Sequence, residues 1–166
     1  MNINKLSKKF NVKKLGESDL SDMLNLAIEN KIFYKHCPPL PTQESFREDL
    51  TALPPNKELK NKFFVGFYNN QELVAMCDFI TDYPDPGTIF IGFFMLNIRY
   101  QGKGEGSKII TEALSYLKTQ GFKNAELAFI KGNKQSKNFW LKNGFIETGR
   151  EVKAATHTKI VLNKKL

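Results

Sequence analysis

Residues 89–106, with the sequence IFIGFFMLNIRYQGKGEG, decide the fold of this chain. The apolar run at 89–96 predicts a buried strand. Three glycines then alternate over five positions, at Gly102, Gly104 and Gly106. Glycine lets a backbone approach a ligand closely and point consecutive N–H groups at it, and the helix predicted to follow adds its partially positive N-terminus. A strand, a glycine loop and a helix in this order predict a binding site for a pyrophosphate group.

The spacing of these glycines disfavours two common nucleotide-binding motifs. A P-loop would need a glycine five positions after Gly102, followed by Lys-Ser or Lys-Thr, but Ser107 occupies that place. A dinucleotide-binding fingerprint would also need a glycine at position 107, with an acidic residue about 20 residues further on, which Glu126 provides only loosely. The pattern that remains is Gln-x-x-Gly-x-Gly over residues 101–106.

A second block lies downstream of the glycine loop. Residues 133–145 have the sequence NKQSKNFWLKNGF, in which an Asn opens a predicted helix, an aromatic pair follows, and Gly-Phe closes it. Together the two blocks resemble the GNAT superfamily of acyl-CoA-dependent N-acyltransferases, and the resemblance covers residues 88–150. It implies a direct transfer of an acetyl group from acetyl-CoA to a primary amine.

The resemblance also implies where the cofactor, acetyl-CoA or coenzyme A, is held. In the family, the end of the central strand, the glycine loop and the later helix surround it. The residues of this chain at those positions are Met95, Leu96, Gln101, Gly102, Lys103, Gly104, Glu105, Gly106, Ser107, Asn133, Lys137 and Phe139. Leu96 lies where the family uses a backbone N–H to polarise the thioester carbonyl, which makes it a catalytic candidate.

Hydrophobic periodicity and turn residues predict the order β-α-α-β-β-β-α-β-α-β-β. This is the GNAT order, an α/β (α+β) fold whose mixed central sheet of about seven strands is splayed into a V and carries about four helices. Ser18 and Thr42 are the predicted N-caps of the first two helices. The predicted strands cover residues 10–15, 63–68, 72–81, 88–96, 125–130, 145–153 and 156–162. The later helices are predicted to follow the glycine loop and to cover residues 136–142.

The composition limits the classes of partner. The chain has 25 Lys and Arg against 17 Asp and Glu, a formal net charge of +8, which the phosphates of coenzyme A explain in part. We expect no nucleic-acid partner, because no arginine-aromatic platform occurs. We also expect no membrane association, because no apolar run is long enough to span a bilayer and the N-terminus has no signal-peptide core.

At 166 residues the chain is predicted to form one domain, 1–166, with a single core. A homodimer is left open. The two cysteines, Cys37 and Cys77, are too few for a disulfide framework and lack metal-ligand spacing. We therefore expect no metal site and a cytoplasmic location, where thiols stay reduced.

Direct acyl transfer needs a neutral amine, and Asp78 is the first candidate for the general base. It lies in the run VAMCDFI at residues 74–80, where a carboxylate is costly unless paired and is expected to have a raised pKa. The alternative is a structural carboxylate that accepts backbone or lysine hydrogen bonds. Weaker candidates, which a turn or an exposed position would explain equally well, are Asp82, Glu126, His36 and His157.

Trp140 departs from the family pattern, in which many members place a Tyr whose hydroxyl can protonate the leaving thiolate. An indole N–H does not titrate usefully, so this role is not carried over, and we expect Trp140 to serve in packing. The absence of an obvious base and of this Tyr leaves a second hypothesis open, a non-catalytic acyl-CoA sensor or interaction module.

The sequence leaves the acceptor open. Residues 33–41, FYKHCPPLP, occupy the region that shapes the acceptor site in the family, and the prolines of residues 37–41 predict an extended loop. We expect a small-molecule or peptide amine. Polyamines, aminoglycosides, amino-acid derivatives and a protein N-terminus all fit this description.

Overall fold

The computed structural model describes residues 1–154 and 157–166. A seven-stranded sheet forms its centre, with the strand order β1-β2-β3-β4-β5-β7-β6. The strands are β1 (Asn11–Lys14), β2 (Lys62–Asn69), β3 (Glu72–Thr81), β4 (Thr88–Leu96), β5 (Asn124–Ile130), β6 (Ile146–Lys153) and β7 (Thr158–Lys165). Neighbouring strands are antiparallel except β4 and β5, which are parallel. The predicted mixed sheet of about seven strands is confirmed.

Helices cover both faces of this sheet. They are α1 (Leu20–Glu29), α2 (Lys31–His36), α3 (Gln43–Thr51), α4 (Glu105–Thr119) and α5 (Lys134–Lys142). The helix α4 buries one apolar stripe that includes Ile109, Ala113 and Leu117, because these side chains recur at helical spacing. This stripe packs with β5 and α5 into one core, whereas α1 and α3 pack with Phe64 and Met76 into a second core on the opposite face.

The parallel pair β4 and β5 opens into a V. Thr88 to Ile91 pair with Asn124 to Leu127, and the pairing ends there. Beyond Ile91, β4 continues to Leu96 beside β3, while β5 continues to Ile130 beside β7. The two strands therefore separate at their carboxyl ends, next to the glycine loop that follows β4.

A β-bulge in β4 lies at the base of this V. In the β3–β4 ladder Asp78 pairs with Phe93 and Phe79 pairs with Ile91, so Gly92 is the extra residue. A Cβ atom at Gly92 would lie 3.0 Å from Oδ2 of Asp78. Glycine at this position therefore leaves room for the Asp78 carboxylate.

Three boundary predictions need correction. Ser18 is not the cap of α1, because it lies inside a 3-10 turn, Glu17–Asp19, whose Asp19 carboxylate accepts from the Gly16 amide at 3.0 Å. Residues 33–36 were not predicted to be helical but belong to α2, whereas the loop predicted at residues 37–41 is confirmed. The last strand was predicted at residues 156–162 but covers Thr158–Lys165, and residue 156 lies outside the described residues.

The Thr42 cap is confirmed, since its hydroxyl oxygen accepts from the Ser45 amide at 3.1 Å. Within residues 1–154 and 157–166, no helix is both long and apolar enough to cross a membrane.

Candidate active site

The glycine loop uses its glycines for two different reasons. Gly102 and Gly104 have φ angles of +72° and +78°, a left-handed conformation that side chains disfavour, and an added Cβ at either would meet nothing within 4 Å. Their backbone is thus open to a ligand at the start of α4. Gly106 is buried, and a Cβ there would lie 3.2 Å from Phe139 and 3.3 Å from Leu96. Its small size allows α4 to pack closely against the V.

The amide of Leu96 points into the V. The next residue, Asn97, donates its N–H to the Val74 carbonyl of β3 at 2.8 Å. In an antiparallel ladder, hydrogen-bonded pairs alternate with non-hydrogen-bonded pairs. Because Asn97 is bonded to Val74, the preceding residue, Leu96, turns its N–H and C=O away from β3. Leu96 therefore directs both groups towards the side from which β5 has separated. Its carbonyl accepts from Gln101 Nε2 at 3.0 Å and from Asn30 Nδ2 at 3.2 Å.

Side chains of the loop bind protein neighbours. Gln101 Nε2 donates to Asn30 Oδ1 at 2.7 Å, and Lys103 Nζ donates to the Arg99 carbonyl at 2.8 Å. Glu105 pairs with Lys9 at 2.9 Å, and this hydrogen bond lowers the pKa of its carboxyl group. These contacts hold the loop in shape. They leave the backbone N–H groups as the donors that a phosphate would meet, and Ser107 lies half-buried in the first turn of α4.

Charges beside the loop suit an anion. A cleft of about 380 Å³ adjoins it and is lined by Tyr100, by three cations and by two carboxylates. The cations are Lys9, Arg99 and Lys103, and the carboxylates are Glu72 and Glu105. The three cations and two carboxylates give the cleft a net charge of +1, which adds to the partial positive charge of the α4 N-terminus.

The predicted later block forms the opposite wall of the V. Asn133 is buried and caps α5, because its side-chain oxygen accepts from the Ser136 amide at 3.0 Å. Lys137 is held by Glu147 at 2.7 Å. Phe139 stacks on Phe94 of β4 with ring centroids 5.6 Å apart and an interplanar angle of 15°. The side chains of Asn133 and Lys137 thus position α5, and Phe139 lines the space between α5 and β4.

The structure pairs Asp78 with a residue that sequence analysis missed. Lys62 Nζ lies 2.6 Å from Asp78 Oδ2, and both side chains are almost fully buried. The other oxygen, Oδ1, is buried without a hydrogen-bond partner among the described residues. Burial raises the pKa of the Asp78 carboxyl, and the Lys62 ammonium opposes this shift.

A second carboxylate acts on this pair. Asp49 lies on α3, and partial desolvation raises the pKa of its carboxyl although the residue is largely exposed. The Lys62 charge lowers the pKa of Asp49 and the Asp78 charge raises it, so the three groups interact. When both carboxylates are ionised, two carboxylates against one ammonium give this cluster one net negative charge, which suits a cationic amine.

The comparison with protein families agrees with this geometry. A model described as the acetyltransferase (GNAT) family matches residues 23–145, about three quarters of the chain. The chain belongs to this family. Comparison with curated proteins finds no match.

Solved structures similar to this GNAT protein include acetyltransferases. An acetyltransferase from Thermus thermophilus aligns with a TM-score of 0.76 and 19% identity, over 95% of this chain and 97% of that one. The PaiA N-acetyltransferase from Thermoplasma acidophilum, in complex with coenzyme A, aligns with a TM-score of 0.69 and 18% identity, over 95% and 99% of the two chains. At such identities the likeness shows the fold.

Trp140 of this GNAT protein is a packing residue. It is buried and meets Phe139, Phe145 and Phe94 edge-on, with ring centroids 4.9, 5.2 and 5.9 Å away. Edge-to-face pairs of this kind stabilise aromatic clusters. Trp140 thereby fixes α5 to Phe94 of β4.

We expect Trp140→Phe to be mild in catalysis. The substitution keeps an aromatic ring, so it should lower the free energy of unfolding by about 1–2 kcal/mol through the lost volume. The transfer rate per folded molecule should stay within about twofold, because no proton is taken from the indole. Thermal melts and initial rates measure both effects. A large rate loss in a stably folded variant would instead assign the indole N–H a positioning role.

The weaker catalytic candidates lie in structural contacts or outside the V. Asp82 has a φ of +56° and its side chain accepts from the Gly87 amide at 2.8 Å, a turn contact. Glu126 bonds Arg150 on the β5 side of the sheet. His36 is the last residue of α2 and lies half-buried beside the acceptor segment.

Proposed function

We propose that this protein is an N-acetyltransferase that moves an acetyl group from acetyl-CoA directly to a primary amine. The observation that carries the proposal is the Leu96 amide, which points into an open V beside a loop of left-handed glycines. An amide donor in such a position can stabilise the negative charge that develops on a carbonyl oxygen during acyl transfer.

The residues of the site fit coenzyme A. Gly102 and Gly104 leave their backbone open at the N-terminus of α4, a feature suited to a pyrophosphate. When bound, acetyl-CoA supplies the acetyl group as a thioester. Phe139 and Gly106 would flank its arm within the V, and the Leu96 N–H would bind the thioester oxygen.

The amine must lose a proton before it attacks, because an alkyl ammonium has a pKa of about 10.4. We propose that Asp78 accepts this proton on Oδ1, directly or through a water molecule, while Lys62 holds Oδ2. The raised pKa of Asp78 brings its basicity closer to that of the amine. The negative balance of Asp49, Asp78 and Lys62 would attract the ammonium form before the proton leaves.

The acceptor segment supplies an apolar wall. Phe33 of α2 packs edge-on against Phe93, the residue that pairs with Asp78, with centroids 5.7 Å apart. Burial raises the pKa of Tyr34, which stays a neutral phenol at physiological pH. These rings favour an acceptor whose amine is attached to an apolar or aromatic body, either a small molecule or a peptide. Both cysteines are free thiols, which supports a reducing compartment such as the cytosol.

Coenzyme A is expected to raise the melting temperature of the protein. A ligand that binds only the folded state stabilises it by about 2.7 kcal/mol at a concentration of 100 Kd. For a chain of this size that free energy corresponds to a shift of roughly 5–10 °C. Differential scanning fluorimetry with millimolar coenzyme A measures the shift. No shift, together with no heat of binding by calorimetry, would remove the cofactor from the proposal.

Turnover separates the enzyme from a sensor. We expect acetyl-CoA to be consumed, with release of free thiol, in the presence of at least one amine from a panel of polyamines, amino-acid derivatives, aromatic amines and peptides. Binding of acetyl-CoA without thiol release over the whole panel would favour the non-catalytic alternative.

A further inference from the structure

One side chain joins the end of α1 to the glycine loop. Asn30 follows α1 directly and precedes α2. Its Nδ2 donates to two carbonyls, that of Leu26 at 2.9 Å and that of Leu96 at 3.2 Å. Its Oδ1 accepts from Gln101 Nε2 at 2.7 Å, and the same Nε2 donates to the Leu96 carbonyl at 3.0 Å. Asn30, Leu96 and Gln101 therefore form a closed triangle of hydrogen bonds.

The backbone of Asn30 has a separate task on the acceptor side. Its carbonyl accepts from the amides of Phe33 and Tyr34 at 3.0 and 3.5 Å, the bonds with which α2 begins. The same helix carries Phe33, whose ring packs against Phe93. One residue thus starts the acceptor-side helix with its backbone and holds the glycine loop with its side chain.

We propose that Asn30 is a positioning residue that couples the acceptor side of the V to the acyl-CoA side. This inference rests on the proposed function. Leu96 turns its C=O and its N–H to the same side of β4, so a carbonyl fixed by two donors also fixes the direction of the amide. Gln101, held by Asn30, fixes the start of the loop whose glycines would meet the pyrophosphate.

The chemistry of the triangle is specific to an amide side chain. Both N–H groups of Asn30 face carbonyls, and its oxygen faces an N–H donor, so each polar atom has a partner of the opposite kind. An Asp would place a carboxylate oxygen against two carbonyl oxygens. An Ala would remove the Asn30 acceptor of Gln101 and leave the Leu96 carbonyl with one donor, Gln101 Nε2.

The test is a double-mutant cycle that uses coenzyme A alone as the probe. We expect Asn30→Ala and Gln101→Ala each to weaken coenzyme A binding by about tenfold in titration calorimetry, the equivalent of one or two hydrogen bonds. The double variant should bind about as weakly as either single variant, because the two side chains act as one unit. Independent side chains would instead give about a hundredfold loss.

Asn143→Ala is a matched control, because it removes an equivalent hydrogen bond at the end of another helix. Asn143 follows α5, and its Nδ2 donates to the Phe139 carbonyl four residues back at 2.8 Å, as Asn30 does to Leu26. Asn143→Ala should lower the melting temperature like Asn30→Ala but keep parental affinity for coenzyme A. Asn30 in a merely structural role would behave like this control.

The outcomes separate this inference from the proposed function. No coenzyme A binding by the parent protein would overturn both. Parental affinity in Asn30→Ala, or additive losses in the double variant, would overturn the role of Asn30 and leave the acetyltransferase proposal standing. If Asn30→Ala fails to fold, the test is Gln101→Ala alone. Parental coenzyme A affinity in Gln101→Ala would show that the hydrogen bonds of the triangle do not support cofactor binding.

Discussion

Gly104→Val is expected to weaken coenzyme A binding by about a hundredfold while the protein still folds. The φ of +78° at this position is strained for a branched residue. Relaxing that strain would rotate the backbone N–H groups away from the pyrophosphate, and the valine methyl groups would occupy the open side that the ligand must approach. Strain and steric exclusion together are worth roughly 2–3 kcal/mol, which corresponds to this loss of affinity.

Gly149→Val provides the control for backbone strain. Gly149 has a φ of +80°, and a Cβ there would also meet nothing within 4 Å, but it lies in β6. The two variants should therefore lose comparable thermal stability, and only Gly104→Val should lose affinity in calorimetry. Parental affinity in Gly104→Val would place the phosphates elsewhere, and an equal loss in Gly149→Val would mean that strain anywhere in the sheet disturbs the site.

Local signals were sufficient for most of the fold. The bounds of β3 and β4 agree with the prediction because each strand is a long apolar run between clear turns, Asn69-Asn70 before β3 and a Pro-Gly turn before β4. The prediction missed α2 because the prolines that follow it favour extended structure, and its six residues give too short a pattern to indicate a helix.

The site was less predictable because its geometry depends on register and tertiary contacts. The glycine pattern located the loop, but the direction of the Leu96 amide follows from the β3–β4 ladder, which no short motif encodes. The predicted strand began at residue 63, one residue after Lys62, and only the pairing of β2 with β3 brings Lys62 to Asp78. The contact of Asn30 with Gln101 spans 71 residues of sequence.

The Lys62–Asp78 pair satisfies the structural alternative considered for Asp78, a carboxylate bonded to a lysine. It does not use the whole carboxylate, because Oδ1 lacks a partner among the described residues. A buried ion pair often adds little to stability compared with apolar residues, so its presence is poorly explained by folding alone. The pair leaves Oδ1 of a carboxylate with a raised pKa without a hydrogen bond among the described residues, and this free acceptor is what makes Asp78 a candidate general base.

Asp78→Asn is expected to lower the turnover number by about a hundredfold or more, the usual contribution of a general base. Coenzyme A affinity should hardly change, because the lost interaction concerns the proton of the amine. Burial raises the pKa of Asp78, so the acidic limb of the parental kcat/KM profile should lie above the ordinary Asp value of about 3.9, with activity lost as the pH falls through it. In Asp78→Asn this limb should disappear.

The pH dependence of stability tests the same assignment, and Asp19→Asn is its control. A folded-state pKa raised above the unfolded value means that protonated Asp78 favours folding at low pH and that this contribution is lost as the pH rises through the folded pKa. Urea unfolding should therefore show this dependence in the parent and not in Asp78→Asn.

Asp19 is equally buried and bonds Lys13 at 2.8 Å, so Asp19→Asn should cost stability but keep the rate and the acidic limb. A near-parental rate with a retained limb in Asp78→Asn would show that another group takes the proton, or that the amine arrives neutral from solution.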